Sequence, residues 1–131
     1  MNTQEICKAL GNYGCYYLSL LHAVGQDNLA LSLFNEALAN SYIDKECYLY
    51  SPEKILKLAT GFSYSVRKEN LDYIPQADEL TIVRYERVTP GATYTHFVVA
   101  NGLGEVIYDP LGNSNTVAFG KPVSKRIIKK L

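Results

Sequence analysis

The chain has 131 residues, 47% apolar and 20% charged, with thirteen basic side chains balanced by thirteen acidic ones and a pI near 6.7. This length suits one domain spanning residues 1–131, and the composition is that of a chain able to bury a core, not of a disordered tail. The balanced charge leaves no electrostatic footprint for a nucleic acid or an anionic membrane; the N-terminus lacks a basic segment followed by an apolar run and no stretch approaches the roughly 18 apolar residues of a spanning helix, so neither export nor insertion is expected and, with the thiols read as reduced, a cytoplasmic setting is the default.

Helical patterns come first. Cys15 to Val24 is apolar on nearly every side, as in a helix buried within a domain, and Gly25 suits its end. Asn28 offers a cap for a second helix reaching about Asn40, with Leu29, Leu31, Leu33, Phe34, Ala37 and Leu38 favouring one side. Ser51-Pro52-Glu53 opens a third, which Gly61 closes.

Beyond Gly61 the texture changes. Phe62–Arg67, Leu80–Val88, Tyr94–Ala100, Glu105–Tyr108 and Thr116–Phe119 are rich in β-branched and aromatic residues and are separated by Pro, Gly, Asn and Asp, so each reads as a strand. Ser124 to Leu131 sets Ile127, Ile128 and Leu131 against Lys125, Arg126, Lys129 and Lys130, which reads as a short amphipathic helix or a solvated end. Helices followed by strands imply an α+β fold, N-terminal helices packed on a C-terminal antiparallel sheet.

Three cysteines, Cys7, Cys15 and Cys47, without a Cys-x-x-Cys spacing fit neither a disulfide framework nor a zinc site, and reduced thiols are expected. Of these, Cys15 stands out. Gly11-Asn12-Tyr13-Gly14 reads as a tight turn that delivers Cys15 to the first turn of the buried helix, where the helix dipole and free N–H groups stabilise a thiolate. Cys7 and Cys47 have no neighbouring imidazole in this reading and are taken as structural.

The chain holds two histidines, His22 and His96. Seven residues along one helix separate His22 from Cys15 by about 10.5 Å of rise, too far for hydrogen bonding, so His22 reads as a packed helix residue. His96 lies in a hairpin, Thr95 to Asp109, whose turn contains Asn101-Gly102-Leu103-Gly104. A loop of two residues at Gly102-Leu103, or of four from Asn101 to Gly104, places His96 directly opposite Asp109, close enough for the carboxylate to orient the imidazole. A loop of three or five would place them on opposite faces. Asn12 is the candidate second donor to an oxyanion beside the Cys15 N–H, with Gln4 a further possibility if the N-terminal segment folds back.

With Gly14-Cys15 at a helix start, His96-Phe97-Val98-Val99 on a strand and Asp109-Pro110-Leu111-Gly112 after it, the sequence resembles papain-clan cysteine peptidases. It is most similar to the double-glycine peptidases that trim bacteriocin leaders and their short stand-alone relatives. The resemblance implies a papain-like fold in which Cys15 is the nucleophile, His96 the general acid/base and Asp109 the orienting residue. It implies a cysteine hydrolase, peptidase or amidase-like, acting on a peptide or protein through a covalent acyl-enzyme, with no metal or organic cofactor. Those relatives usually carry a glutamine six residues before the cysteine, where this chain has Ala9. A catalytically inactive papain-like module that binds a peptide or protein partner is therefore an alternative, as is a transglutaminase-like acyl transferase. Oligomeric state is left open.

Overall fold

The computed structural model describes residues Met1–Leu131. It opens with a helix that the sequence reading did not anticipate, α1 (Thr3–Tyr13). Asn2 caps it by accepting from Glu5 N at 2.9 Å, while the Glu5 carboxylate accepts from Asn2 N at 3.1 Å. This reciprocal box satisfies two otherwise orphaned donors, and Ile6, Ala9 and Leu10 bury one face. The expected tight turn at Gly11-Asn12-Tyr13-Gly14 is therefore a correction: its first three residues form the last turn of α1, because one interior glycine costs only about 1 kcal/mol. Gly14 alone makes the corner into α2 (Cys15–Ala23). A Cβ at Gly14 would stand 2.6 Å from the Leu10 carbonyl oxygen, so the corner's tightness itself requires glycine.

A 3₁₀ turn at Asp27–Leu29 leads into α3 (Ala30–Ala39), so Asn28 lies within that turn instead of capping the helix. Helix α4 (Pro52–Thr60) starts with Pro in its first turn and stops at Gly61, whose φ of 79° is left-handed. The helices share a core of their own, centred on Ile6, Tyr17, Leu21, Leu33, Phe34, Ile43 and Ile55.

The strands are β1 (Tyr64–Glu69), β2 (Glu79–Thr89), β3 (Ala92–Ala100), β4 (Val106–Tyr108) and β5 (Lys121–Lys130). They form one antiparallel sheet in the order β1-β5-β2-β3-β4. Leu20 of α2 and Leu56 of α4 pack on Ile82, Val99 and Ile128. On the opposite face Val83, Val98 and Ala100 form a smaller cluster with Tyr85 and with Val117 of the short helix α5 (Asn115–Phe119). The chain is thus α+β, with N-terminal helices on a C-terminal antiparallel sheet. No helix is long and apolar enough to cross a membrane.

Two further expectations are corrected. Thr116–Phe119 is helical, because Ser114 caps Thr116 N and so starts a turn that β-propensity does not register. The tail from Ser124 to Leu131 is mostly interior strand, not an amphipathic helix. Ile127 and Ile128 are both 0% exposed, although neighbours on a strand point to opposite faces. Both are buried because layers cover both faces of the sheet: Ile128 faces α2 and α4, and the other face carries Tyr73, whose carbonyl accepts from Lys125 Nζ at 2.7 Å.

The hairpin register differs as well. Ala100 pairs with Val106 across a loop of five residues, and a bulge follows so that Val99 pairs with Tyr108. The odd loop alone would have put His96 and Asp109 on opposite faces. The extra bulge residue reverses that change. Continued past Tyr108, the register sets Asp109 opposite Val98, two residues from His96 and on its face.

Candidate functional site

Three elements converge beside the N-terminus of α2. Cys15 is its first residue, so the thiol sits at the positive end of the helix, among N–H groups that the helix's own carbonyls cannot satisfy. Helix α2 is fixed to the sheet by Ser19 Oγ, which donates to the Phe97 carbonyl at 3.2 Å, and by Tyr16, whose ring stacks on Phe97 at 4.4 Å. Strand β4 pairs only with Val99 and Ala100, leaving the edge of β3 open at His96. There Cys15 and His96 line one hollow of about 270 Å³.

His96 Nε2 lies 2.7 Å from Asp109 Oδ1, and the two side chains are 5% and 7% exposed. A carboxylate accepts, so Nε2 carries the proton and Nδ1 is left with its lone pair available to a thiol. Asp109 is itself positioned by the turn that follows it: Oδ1 also accepts from Leu111 N at 2.9 Å, and Gly112 N donates to the Asp109 carbonyl at 2.9 Å. Gly112 has a φ of 76°, which accounts for glycine at the end of Asp-Pro-Leu-Gly.

Burial disfavours the charged form of His96, but its interactions with Cys15 and then with Asp109 outweigh that cost and raise its pKa above the ordinary value. Thiol and imidazole are close enough to interact, though no well-formed hydrogen bond joins them. Such bonds often tighten only when substrate is present.

The chain matches a family model described as "Protein of unknown function, DUF261" over residues 1–130. It belongs to the DUF261 family. No curated protein and no solved structure matches it.

Other residues singled out in this DUF261 chain fall as follows. Asn12 is exposed at the end of α1 and lines the same hollow as Cys15, whereas Gln4 lies two turns away at the start of that helix. Ala9 faces the helical core, so the backbone six residues before Cys15 aims no side chain at the thiol. His22 does not meet Cys15. Its Nδ1 lies 2.6 Å from Asp27 Oδ2 and its ring stacks 3.8 Å from that of Tyr108. Cys47 is buried with a left-handed φ of 62°, and burial, then Asp44 and Cys15, push its thiol up to about 11. Cys7 is exposed on α1.

A larger cleft of about 1000 Å³ opens from the other side of Cys15, and Asn12 and Thr95 also line both spaces. Arg84, Phe97 and Arg126 line this cleft, a role that the sequence reading gives to none of them. The signal was faint: their placement on one face follows from strand pairing, which only the fold reveals.

Proposed function

We propose that this chain is a papain-like cysteine hydrolase of peptide or protein substrates, with Cys15 as nucleophile, His96 as general acid/base and Asp109 as the orienting carboxylate. The observation that carries the reading is the buried His96–Asp109 pair facing a helix-start thiol at the saddle between two open spaces. A substrate chain laid from one space to the other passes its backbone over Cys15.

In this mechanism the Cys15 proton moves to His96 Nδ1, and the thiolate forms a bond to the substrate carbonyl carbon while that oxygen takes up the negative charge. In this reading the N–H groups at the start of α2 donate to it, with the amide of Asn12, which lines both spaces beside Cys15, as the second donor. Collapse breaks the C–N bond, with the departing amine taking the proton from His96. Water then gives a proton to His96 and attacks the thioester, and the sulfur leaves as thiolate, completing hydrolysis.

The buried Ala9 favours a second reading, a scaffold that binds peptides without turning them over. Alkylation of each cysteine with iodoacetamide across pH, read by peptide mass mapping, separates the two. As a nucleophile, Cys15 should react well below pH 8 and lose that reactivity in His96→Ala, while Cys47 stays slow and Cys7 reacts as an ordinary exposed thiol. If Cys15 reacts no faster than Cys7 at pH 6.5, the hydrolase reading falls and the binding module stands.

A further inference from the structure

We infer that the large cleft beside Cys15 recognises a peptide through a carboxylate, which lies on a cationic floor formed by Lys68, Arg126 and Arg84. The inference deepens the hydrolase reading and rests on it for the position of the scissile bond. Strand pairing sets Lys68 opposite Arg126 and Arg126 opposite Ile82, with Arg84 two residues beyond Ile82 and opposite Phe97. All therefore share the sheet face on which Ile82 meets the helices. Helices α2 and α4 cover the part of that face at Ile82, Val99 and Ile128. The cationic part lines the open cleft.

The charges are unevenly compensated. Arg84 lies 3.6 Å from Glu86, but Arg126 has no carboxylate partner. Its Nη1 donates to Ser124 Oγ at 2.9 Å and to the Lys125 carbonyl at 3.4 Å, Tyr16 bonds the same guanidinium, and its carbon sits 5.6 Å from the Phe97 ring centre, so neutral groups fix the fork and leave its charge without a counter-anion. Lys68 is exposed and unpaired. Nearby acids are held by backbone donors and not by the arginines: Glu53 Oε2 accepts from Val66 N at 3.1 Å, and Asp44 accepts from Glu46 N and Tyr48 N, both at 2.9 Å. The acids lining the cleft, Asp44 and Glu46, keep their charge, but neither forms an ion pair with the cationic floor. A preorganised guanidinium without a counter-anion is a receptor for a carboxylate, and the exposed Tyr48 and Tyr50 on the facing wall offer contact to an apolar neighbour of the acidic residue.

The test uses fluorescein-labelled hexapeptides with Glu, Gln or Lys at one position, walked along the chain, each made with a free and an amidated C-terminus. Affinity for the Cys15→Ala protein is read by fluorescence anisotropy. A second set carrying an electrophilic vinyl sulfone is mixed with the wild-type protein, and modification of Cys15 is read by intact mass. At one position Glu should bind at least about tenfold more tightly than Gln, with Lys weaker still. That preference should collapse in Arg126→Gln and shrink in Arg84→Gln, the latter keeping the test alive if the former does not fold. Preference for the free over the amidated terminus would assign the floor to a terminal carboxylate; indifference would assign it to a side chain. Equal affinity for Glu and Gln at every position, or no binding at millimolar peptide, overturns the inference whether or not Cys15 is reactive. Glu-selective binding with no modification of wild-type Cys15 retains the recognition and overturns the hydrolase reading.

Discussion

At the scale of single residues the decisive pair is His96 with Asp109. Asn at position 109 would keep an oxygen for Nε2–H but remove the charge that helps hold the imidazole pKa up. In Asp109→Asn the His96 pKa should fall, as NMR titration would show, and Cys15 alkylation at pH 7 should slow by about tenfold or more. The linkage has a definite sign. A pKa raised on folding stabilises the native state fully below the unfolded value of about 6.5, and this contribution disappears as pH rises through the folded value. Wild-type and Asp109→Asn melting temperatures should therefore differ most between pH 5 and 6.5 and converge above the folded pKa. A gap that widens with pH would contradict this account. The pairing of His96 with Asp109 was readable from the chain, but through the wrong register: an odd loop in the run Asn101 to Glu105 and a bulge at Ile107, which an apolar strand sequence does not betray, offset one another.

At the scale of elements, the corner between α1 and α2 sets the position of the thiol. Gly14→Ala would drive a methyl group against the Leu10 carbonyl, so the two helices must separate or tilt. The variant should lose about 1–3 kcal/mol in urea denaturation and show slower Cys15 alkylation even where it remains folded. Unchanged stability would mean that the corner has slack. The helix at Cys15–Ala23 was legible because it is apolar all round, and β2 and β3 because β-branched residues fill them. Helix α1 was missed because Gly11 and Gly14 read as turn punctuation, although Asn2 and Glu5 carried its start signal. The tail was misread for a different reason. Adjacent isoleucines among lysines imitate a helix stripe, and only the layers packed on both faces of the sheet make a strand of them.

At the scale of the whole molecule, β5 joins β1 to β2, and both its isoleucines are interior. Ile127→Ala and Ile128→Ala should each cost about 2–5 kcal/mol, measured by chemical denaturation. Losses within about 0.5 kcal/mol, the range of a surface change, would fit a solvated end and not a central strand.

The order of the elements adds a consequence. Along the chain Cys15 comes long before His96, and Arg126 lies on β5, which follows the other four strands of the sheet. Strands β2, β3 and β4 can pair locally as they follow one another, but β1 joins them only when β5 inserts between it and β2, and such distant pairing is slow. Until β5 is in place, Lys68 and Arg84 lie on strands that do not touch, so the wall of the large cleft beside Cys15 is completed only by the insertion that closes the sheet.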